Sequence, residues 1–198
     1  PKERYRNNIA AIRLLFSLEK ENRLANKEEQ EILAKYVGWG GLSDVFDSTK
    51  SNWANEYTEL KSLLNDEEYT QARESTLTAF YTPPIVIDSI YSTLNSLGFK
   101  YGNILEPACG TGNFLGRLPQ QMQNSKLYGI ELDSITGRIA KQLYQKANIT
   151  IDGYENTNLP DSFFDVAISN VPFGQFKVSD KRYNKLNFNI HDYYFAKT

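Results

Sequence analysis

The sequence predicts an α/β protein, a mostly parallel sheet with helices on its faces, preceded by an N-terminal helical region. Four apolar runs of strand length, NILEPA, KLYGIEL, ITIDGY and FDVAIS, follow one another between residues 103 and 169. NFLGRLPQQM and SITGRIAKQLYQKA separate the first three as helical stretches and a polar turn precedes the fourth, the alternation that a parallel sheet requires. Ahead of them, apolar residues recur at helical spacing. With 40% hydrophobic and 13% aromatic residues in 198, the chain has material for one or two packed cores, which excludes a disordered protein.

The elements follow in order. Ile9, Ile12, Leu15, Phe16 and Leu18 form an apolar stripe on a first helix. Asn26 and Glu29 make a capping box for a second, expected to run through Ile32, Leu33, Tyr36 and Val37 and to stop at Gly38. In YVGWGGLSDVF, three glycines around Trp39 predict a tight turn anchored by the indole, read as a helix-to-helix corner. Trp53, Tyr57, Leu60 and Leu64 predict a third helix, and a second capping box, Asn65 with Glu68, predicts a fourth. In AFYTPP, Thr82 is expected as N-cap and Pro83 as the first helical residue of a segment ending at Gly98. The expected organisation is a helical region over 1–78 and an α/β domain over 79–198.

A formal charge of −2 argues against a surface devoted to nucleic-acid phosphates and restricts any such contact to a local patch. One Cys excludes a disulfide framework, and one Cys with one His cannot build a zinc site, so no metal is expected. There is no apolar run of membrane-spanning length and no leader pattern, which makes the cytoplasm the expected location without membrane association. The chain opens PKERYRNN and stops at HDYYFAKT, and so reads as a piece of a longer protein.

In open α/β sheets ligands sit beyond the carboxyl ends of the strands, so chemistry is read from the turns there. The first, EPACGTGNF, has Gly110 and Gly112 placed for a tight turn with bare backbone; Leu115 stands where a dinucleotide fingerprint needs glycine. About 20 residues on, Glu131 closes the second strand and can accept from ribose hydroxyls; Asp133 is the neighbouring candidate, pointing differently by the strand period.

FYTPP, EPACGTGNF, GIELD and the Asn-x-Pro-Phe after FDVAIS, in that order, resemble the motifs of S-adenosylmethionine-dependent amino-methyltransferases, in particular the adenine-specific DNA methyltransferases. YVGWGGLSDVF and NVPFG further resemble the methylase-like segments of large helicase–methylase proteins of bacterial conjugative and other mobile elements. The resemblance implies a Rossmann-like methyltransferase domain, C-terminally incomplete with about three strands beyond the fourth, S-adenosylmethionine as cofactor, and DNA and helicase-bearing domains as partners. It also implies roles. Tyr81, Thr82 and Pro83 lie at the methionine end of the cofactor; Glu106, Ala108, Gly110 and Gly112 form the floor under it. Glu131 holds the ribose and Leu132 packs on adenine. For the contact to the cofactor's adenine amine, Glu155 is preferred and Asp152 is the reserve.

The same resemblance makes Asn170, Val171, Pro172 and Phe173 the catalytic turn. An exocyclic amine is a poor nucleophile because its lone pair is delocalised. An Asn side-chain oxygen and a backbone carbonyl, here Asn170 and Val171, favour the geometry with a free lone pair and stabilise the developing charge. Pro172 stiffens the turn and Phe173 offers a face for a flipped base. Val171 departs from the family, where proline is usual. Methylation at a cytosine carbon needs a cysteine in this turn, and Cys109 lies elsewhere, as a small packed residue. Lys177, Lys181, Arg182 and Lys185, interleaved with Phe176, Tyr183 and Phe188, read equally as a nucleic-acid contact or as a solvated loop with a core-facing stripe; His191 reads as a residue at a helix start. Two alternatives stay open: a non-catalytic DNA-handling module, and a methyltransferase acting on a glutamine amide or an RNA guanine amine.

Overall fold

The computed structural model describes residues 1–77 and 81–198. Its contacts divide the chain into two compact units, Pro1–Phe80 with Asp133–Gln145, and Tyr81–Leu132 with Lys146–Thr198.

The first unit is helical: α1 (Lys2–Lys20), α2 (Lys27–Leu33), α3 (Ala54–Leu63), α4 (Asp66–Ser75) and α7 (Ser134–Leu143). The stripe on α1 is buried through Tyr5, Ile9, Ile12, Leu15 and Leu18, and joins Leu33, Trp39, Leu42, Leu60, Ile135 and Ile139 in one core. Each such aliphatic side chain contributes about 1.5–3 kcal/mol by leaving water. Both capping boxes form, Asn26 with Glu29 and Asn65 with Glu68. Helix α2 stops at Leu33, short of the expected Gly38. The reason lies on α1: fully buried Asn8 donates through Nδ2 to the Gly38 carbonyl (2.6 Å) and accepts from Val37 N–H (2.9 Å). Those backbone groups are bonded sideways instead of along a helix, which frees Tyr36 and Trp39 to turn inward. Trp39, 1% exposed, packs edge-on against Phe46 in the corner foreseen for it. Helix α7 belongs to this core: Arg138 pairs with Glu19 and Glu68, and Gln142 accepts from Ala25 N–H (2.8 Å).

The second unit holds α5 (Pro84–Ser96), α6 (Asn113–Gly116), α8 (Ile190–Lys197) and four strands, β1 (Asn103–Glu106), β2 (Lys126–Glu131), β3 (Asn148–Ile151) and β4 (Val166–Ala167). All pairings are parallel in the order β3-β2-β1-β4, as the alternating pattern predicts. Strand alternation sends Ile104 and Val166 to one face with Ile87, Tyr91 and Phe114, and Leu105 and Ile130 to the other with Tyr154, Tyr193 and Tyr194.

Helix α5 starts one residue later than expected. Thr82 makes no cap; Pro83 is the N-cap, extended at ψ 140, and Pro84 opens the helix. A residue before proline is driven out of the helical region, so the second proline of the pair sets the boundary. At the other end Gly98 (φ +92) closes a Schellman motif, its N–H donating to Asn95 and that of Phe99 to Leu94. NFLGRLPQQM is helical only over Asn113–Gly116, with a separate 3₁₀ turn at Gln120–Met122, because Pro119 interrupts it. Among the described residues no helix is long and apolar enough to cross a membrane.

Candidate active site

The turn after β1 organises the site. Past Glu106, Cys109 N–H still donates to the Ile130 carbonyl of β2 (2.9 Å), and Gly112 N–H closes the turn on the Cys109 carbonyl (2.8 Å). Gly110 (φ +56) and Gly112 (φ +86) are left-handed, which aims backbone rather than side chain at the space beyond the strands. Gly110 N–H donates to Glu131 Oε2 at 2.8 Å, so the first strand's turn orients the carboxylate closing the second. A Cβ at Gly110 would lie 3.3 Å from the Tyr81 ring, which brings the residues before α5 onto the same turn. Thr82 follows with its hydroxyl buried and unpartnered among the described residues. Phe80, in the same motif, lies outside the described residues.

Glu106 is 2% exposed, a carboxyl group taken almost wholly out of water. Burial, and then the neighbouring Glu131 carboxylate, push its carboxyl well above the usual carboxylate range. Its Oε2 is buried without a hydrogen-bond partner among the described residues. Cys109 is buried and its thiol is pushed up by burial and by Glu106 and Glu131, the state of a packed residue and not of a nucleophile.

Beyond Glu131, Leu132 is 65% exposed, and Asp133 accepts from Thr136 N–H (2.7 Å) as N-cap of α7. After β3, Asp152 accepts from Gly153 N–H and Asn156 Nδ2 within its own turn. The half-buried Glu155 lays its carboxylate over Gly153, where a Cβ would come within 2.3 Å of Oε1. Tyr194 stands near both carboxylates: burial first, then the charges of Glu131 and Glu155, hold its hydroxyl above the ordinary tyrosine value. That tyrosine was not singled out in the sequence, and only the packing of α8 against the sheet brings it there.

The fourth strand delivers the turn 169–174. Ile168 N–H donates to the Leu105 carbonyl (2.9 Å), and Ser169 Oγ donates to the Ala108 carbonyl at 3.5 Å, so this turn is joined to the glycine turn one residue before Asn170. Asn170 is exposed. Val171 packs into the core around Leu105, Ile130 and Tyr193, so burial anchors the position where the family has proline. Phe173 is 68% exposed and stacks on His191, which sits in the first turn of α8. In the basic segment, Arg182 is paired with Asp161 and Lys177 Nζ donates to Asn187. Tyr183 and Phe188 face the core, whereas Phe176, Lys181 and Lys185 are exposed, so the segment is divided between the two readings.

An unpartnered buried acceptor, bare glycine backbone, a carboxylate oriented by an N–H and an exposed leucine suit a cationic, ribose-bearing cofactor such as S-adenosylmethionine.

The chain is similar to several known proteins. The chain is 27% identical over 169 residues to "Defense against restriction protein B" of Escherichia phage P1, covering 84% of this chain and 6% of that protein. It is 32% identical over 94 residues to "Type II methyltransferase M.CvrRI" of Paramecium bursaria Chlorella virus XZ-6E, covering 48% of this chain and 24% of the relative. The chain thus spans a quarter or less of the length of either. Among solved structures, a putative class I S-adenosylmethionine-dependent methyltransferase from Listeria monocytogenes aligns over 100% of this chain and 69% of its own, at 16% identity and a TM-score of 0.49. The profile of the family described as "N-6 DNA Methylase" matches residues 62–197, which include every turn of this site, and the chain belongs to that family.

Proposed function

We propose that this chain transfers a methyl group from S-adenosylmethionine to the exocyclic amine of adenine in DNA, as one segment of a larger helicase–methylase protein. The observation that carries the reading is the link between the turns: Ser169 bonds to Ala108 of the glycine turn, whose Gly110 orients Glu131, and the next residue, Asn170, is exposed. Family membership supports the chemistry, and the family's description as N-6 DNA methylase supports DNA as substrate. The 6% of the phage protein that this chain covers supports a place inside a much longer chain.

The residue roles follow. Tyr81, Thr82, Pro83, Ala108, Gly110 and Gly112 line the methionine end, where Glu106 Oε2 accepts from an ammonium group. Glu131 accepts from the ribose hydroxyls, Leu132 covers the adenine and Glu155 accepts from its amine. Bound S-adenosylmethionine supplies an electrophilic methyl on a sulfonium. The Asn170 side-chain oxygen and the Val171 carbonyl accept hydrogen bonds from the two N–H groups of the target amine and turn its lone pair outward. They also stabilise the positive charge that develops on nitrogen, with no base needed before attack. Pro172 limits the turn's freedom, and Phe173 stacks the flipped base.

Asn170→Ala is expected to lower the methylation rate by roughly 100- to 1,000-fold, the cost of removing one preorganised acceptor, while calorimetry shows unchanged S-adenosylmethionine affinity. A panel of adenine-containing DNA, RNA and a glutamine peptide assigns the polymer. Methyl transfer to RNA or peptide alone, or an Asn170→Ala protein as active as the parent, would refute the proposal.

A further inference from the structure

We infer that His191 is a positioning residue of the target-base site, backing Phe173 so that an incoming base completes a three-ring stack; this rests on the proposed methyl-transfer reading. The Phe173 and His191 ring centroids are 5.7 Å apart with planes inclined at 27°, the separation and tilt of a stacked pair. Phe173 is nevertheless 68% exposed, so the imidazole covers part of the ring and leaves a broad apolar surface open at the end of the Asn-x-Pro-Phe turn. A phenyl ring on a four-residue turn is by itself a mobile platform. One ring held from behind by a helix is a fixed one.

The imidazole is well placed to serve as that backing. It belongs to the first turn of α8, whose Ile190, Tyr193 and Tyr194 are buried against the sheet, so its backbone is set by the core. Ile190 N–H donates to the Phe176 carbonyl (3.1 Å), which ties the start of that helix to the segment leaving the turn. His191 Nδ1 is buried and has no hydrogen-bond partner among the described residues, and Nε2 has Asp192 at 3.7 Å. An imidazole serving the fold through a hydrogen bond from Nδ1 would have a partner there; here the face of the ring stacks on Phe173. The residue acts through Phe173 and touches neither reacting atom.

Two readouts test this. The chain has a single histidine, so its imidazole C–H resonances are assigned without ambiguity. Phe173→Leu, a change at an exposed side chain, is expected to shift them by removing the ring current. A single-stranded oligodeoxyadenylate, which presents unpaired bases and needs no recognition sequence, is expected to shift them again in the parent and not in Phe173→Leu. In methylation of that probe, His191→Ala is expected to raise KM about two- to tenfold, the value of one aromatic contact. His191→Phe, which keeps a flat face and drops both nitrogens, is expected to restore it, with S-adenosylmethionine affinity equal in all three proteins. Resonances indifferent to Phe173→Leu, or a His191→Phe protein no better than His191→Ala, would overturn the inference and leave the proposed function standing. A parent protein that binds no S-adenosylmethionine would overturn the proposed function, and the resonance shifts would still decide whether the stack exists.

Discussion

At Glu106 the protein keeps a carboxyl group that burial and a neighbouring carboxylate both discourage from ionising. In the unfolded chain this group ionises near its ordinary value of 4.5, whereas the folded, ligand-free protein holds the proton to higher pH. The folded state then binds more protons than the unfolded one, so stability is complete below that value and falls as pH rises toward the raised folded value. Glu106→Gln, neutral at every pH, is expected to remove up to about 1.4 kcal/mol per pH unit of that decline, read from urea unfolding of both proteins between mildly acidic and neutral pH. At Glu131, alanine substitution is expected to weaken S-adenosylmethionine binding by roughly 1–3 kcal/mol, as loss of a charged acceptor does; calorimetric titration measures it. Asn8 is the corresponding residue in the helical unit. Asn8→Ala leaves the bonds to Gly38 and Val37 unmade and is expected to cost about 1–3 kcal/mol of stability without changing cofactor affinity.

Among the elements, α8 is fastened at its far end by a partly buried ion pair. Lys197 Nζ donates to Asp180 Oδ2 (2.9 Å) and to the carbonyls of Tyr154 (2.7 Å) and Thr157 (3.0 Å), while the Tyr193 hydroxyl also donates to Asp180 (2.7 Å). Burial raises the Asp180 carboxyl, but Lys197, Tyr193 and the Arg182 N–H together hold it below the ordinary range. Its stabilising share is therefore complete above the ordinary value of 3.8 and disappears as acid takes pH down through the lowered folded value. Lys197→Met, which leaves Asp180 with the Tyr193 hydroxyl and the Arg182 N–H but without its cation, is expected to cost about 1–3 kcal/mol in denaturant unfolding. Elements were legible in the sequence where their causes are local. Both capping boxes, the Gly98 stop and the four strands depend on residues within a few positions of one another. Helix α2 was read too long because the group that ends it, Asn8, is 30 residues from Gly38. The start of α5 was misread although its cause, Pro84 following Pro83, is adjacent. In the site, the turns were legible because strand-end chemistry sits on consecutive residues. The Phe173–His191 stack and the place of Tyr194 were not, since both depend on where α8 packs.

For the whole molecule, the informative fact is the interleaving of the units. The chain leaves the sheet after Leu132, forms α7 in the core of the helical unit, and returns at Lys146 to build β3. Neither unit is a continuous stretch of sequence. A fragment of residues 81–198 keeps every residue of the sheet but deprives Ile135, Ile139 and Arg138 of α1, α2 and α4. It is expected to bind the dye ANS and to self-associate on size-exclusion chromatography, and adding residues 1–77 in trans is expected to reverse both.

The same interleaving gives the newborn chain an order of events. The bond from Ala25 N–H to Gln142 joins residues 117 apart, so the first helices leave the ribosome long before the helix that completes their core exists. At synthesis rates of 5–20 residues per second, the delay from α4 to α7 is roughly 3–13 seconds. Throughout that interval the side of α1, α2 and α4 destined for Ile135 and Ile139 faces solvent. How long that surface stays uncovered during translation is set by when a single ten-residue helix, α7, emerges.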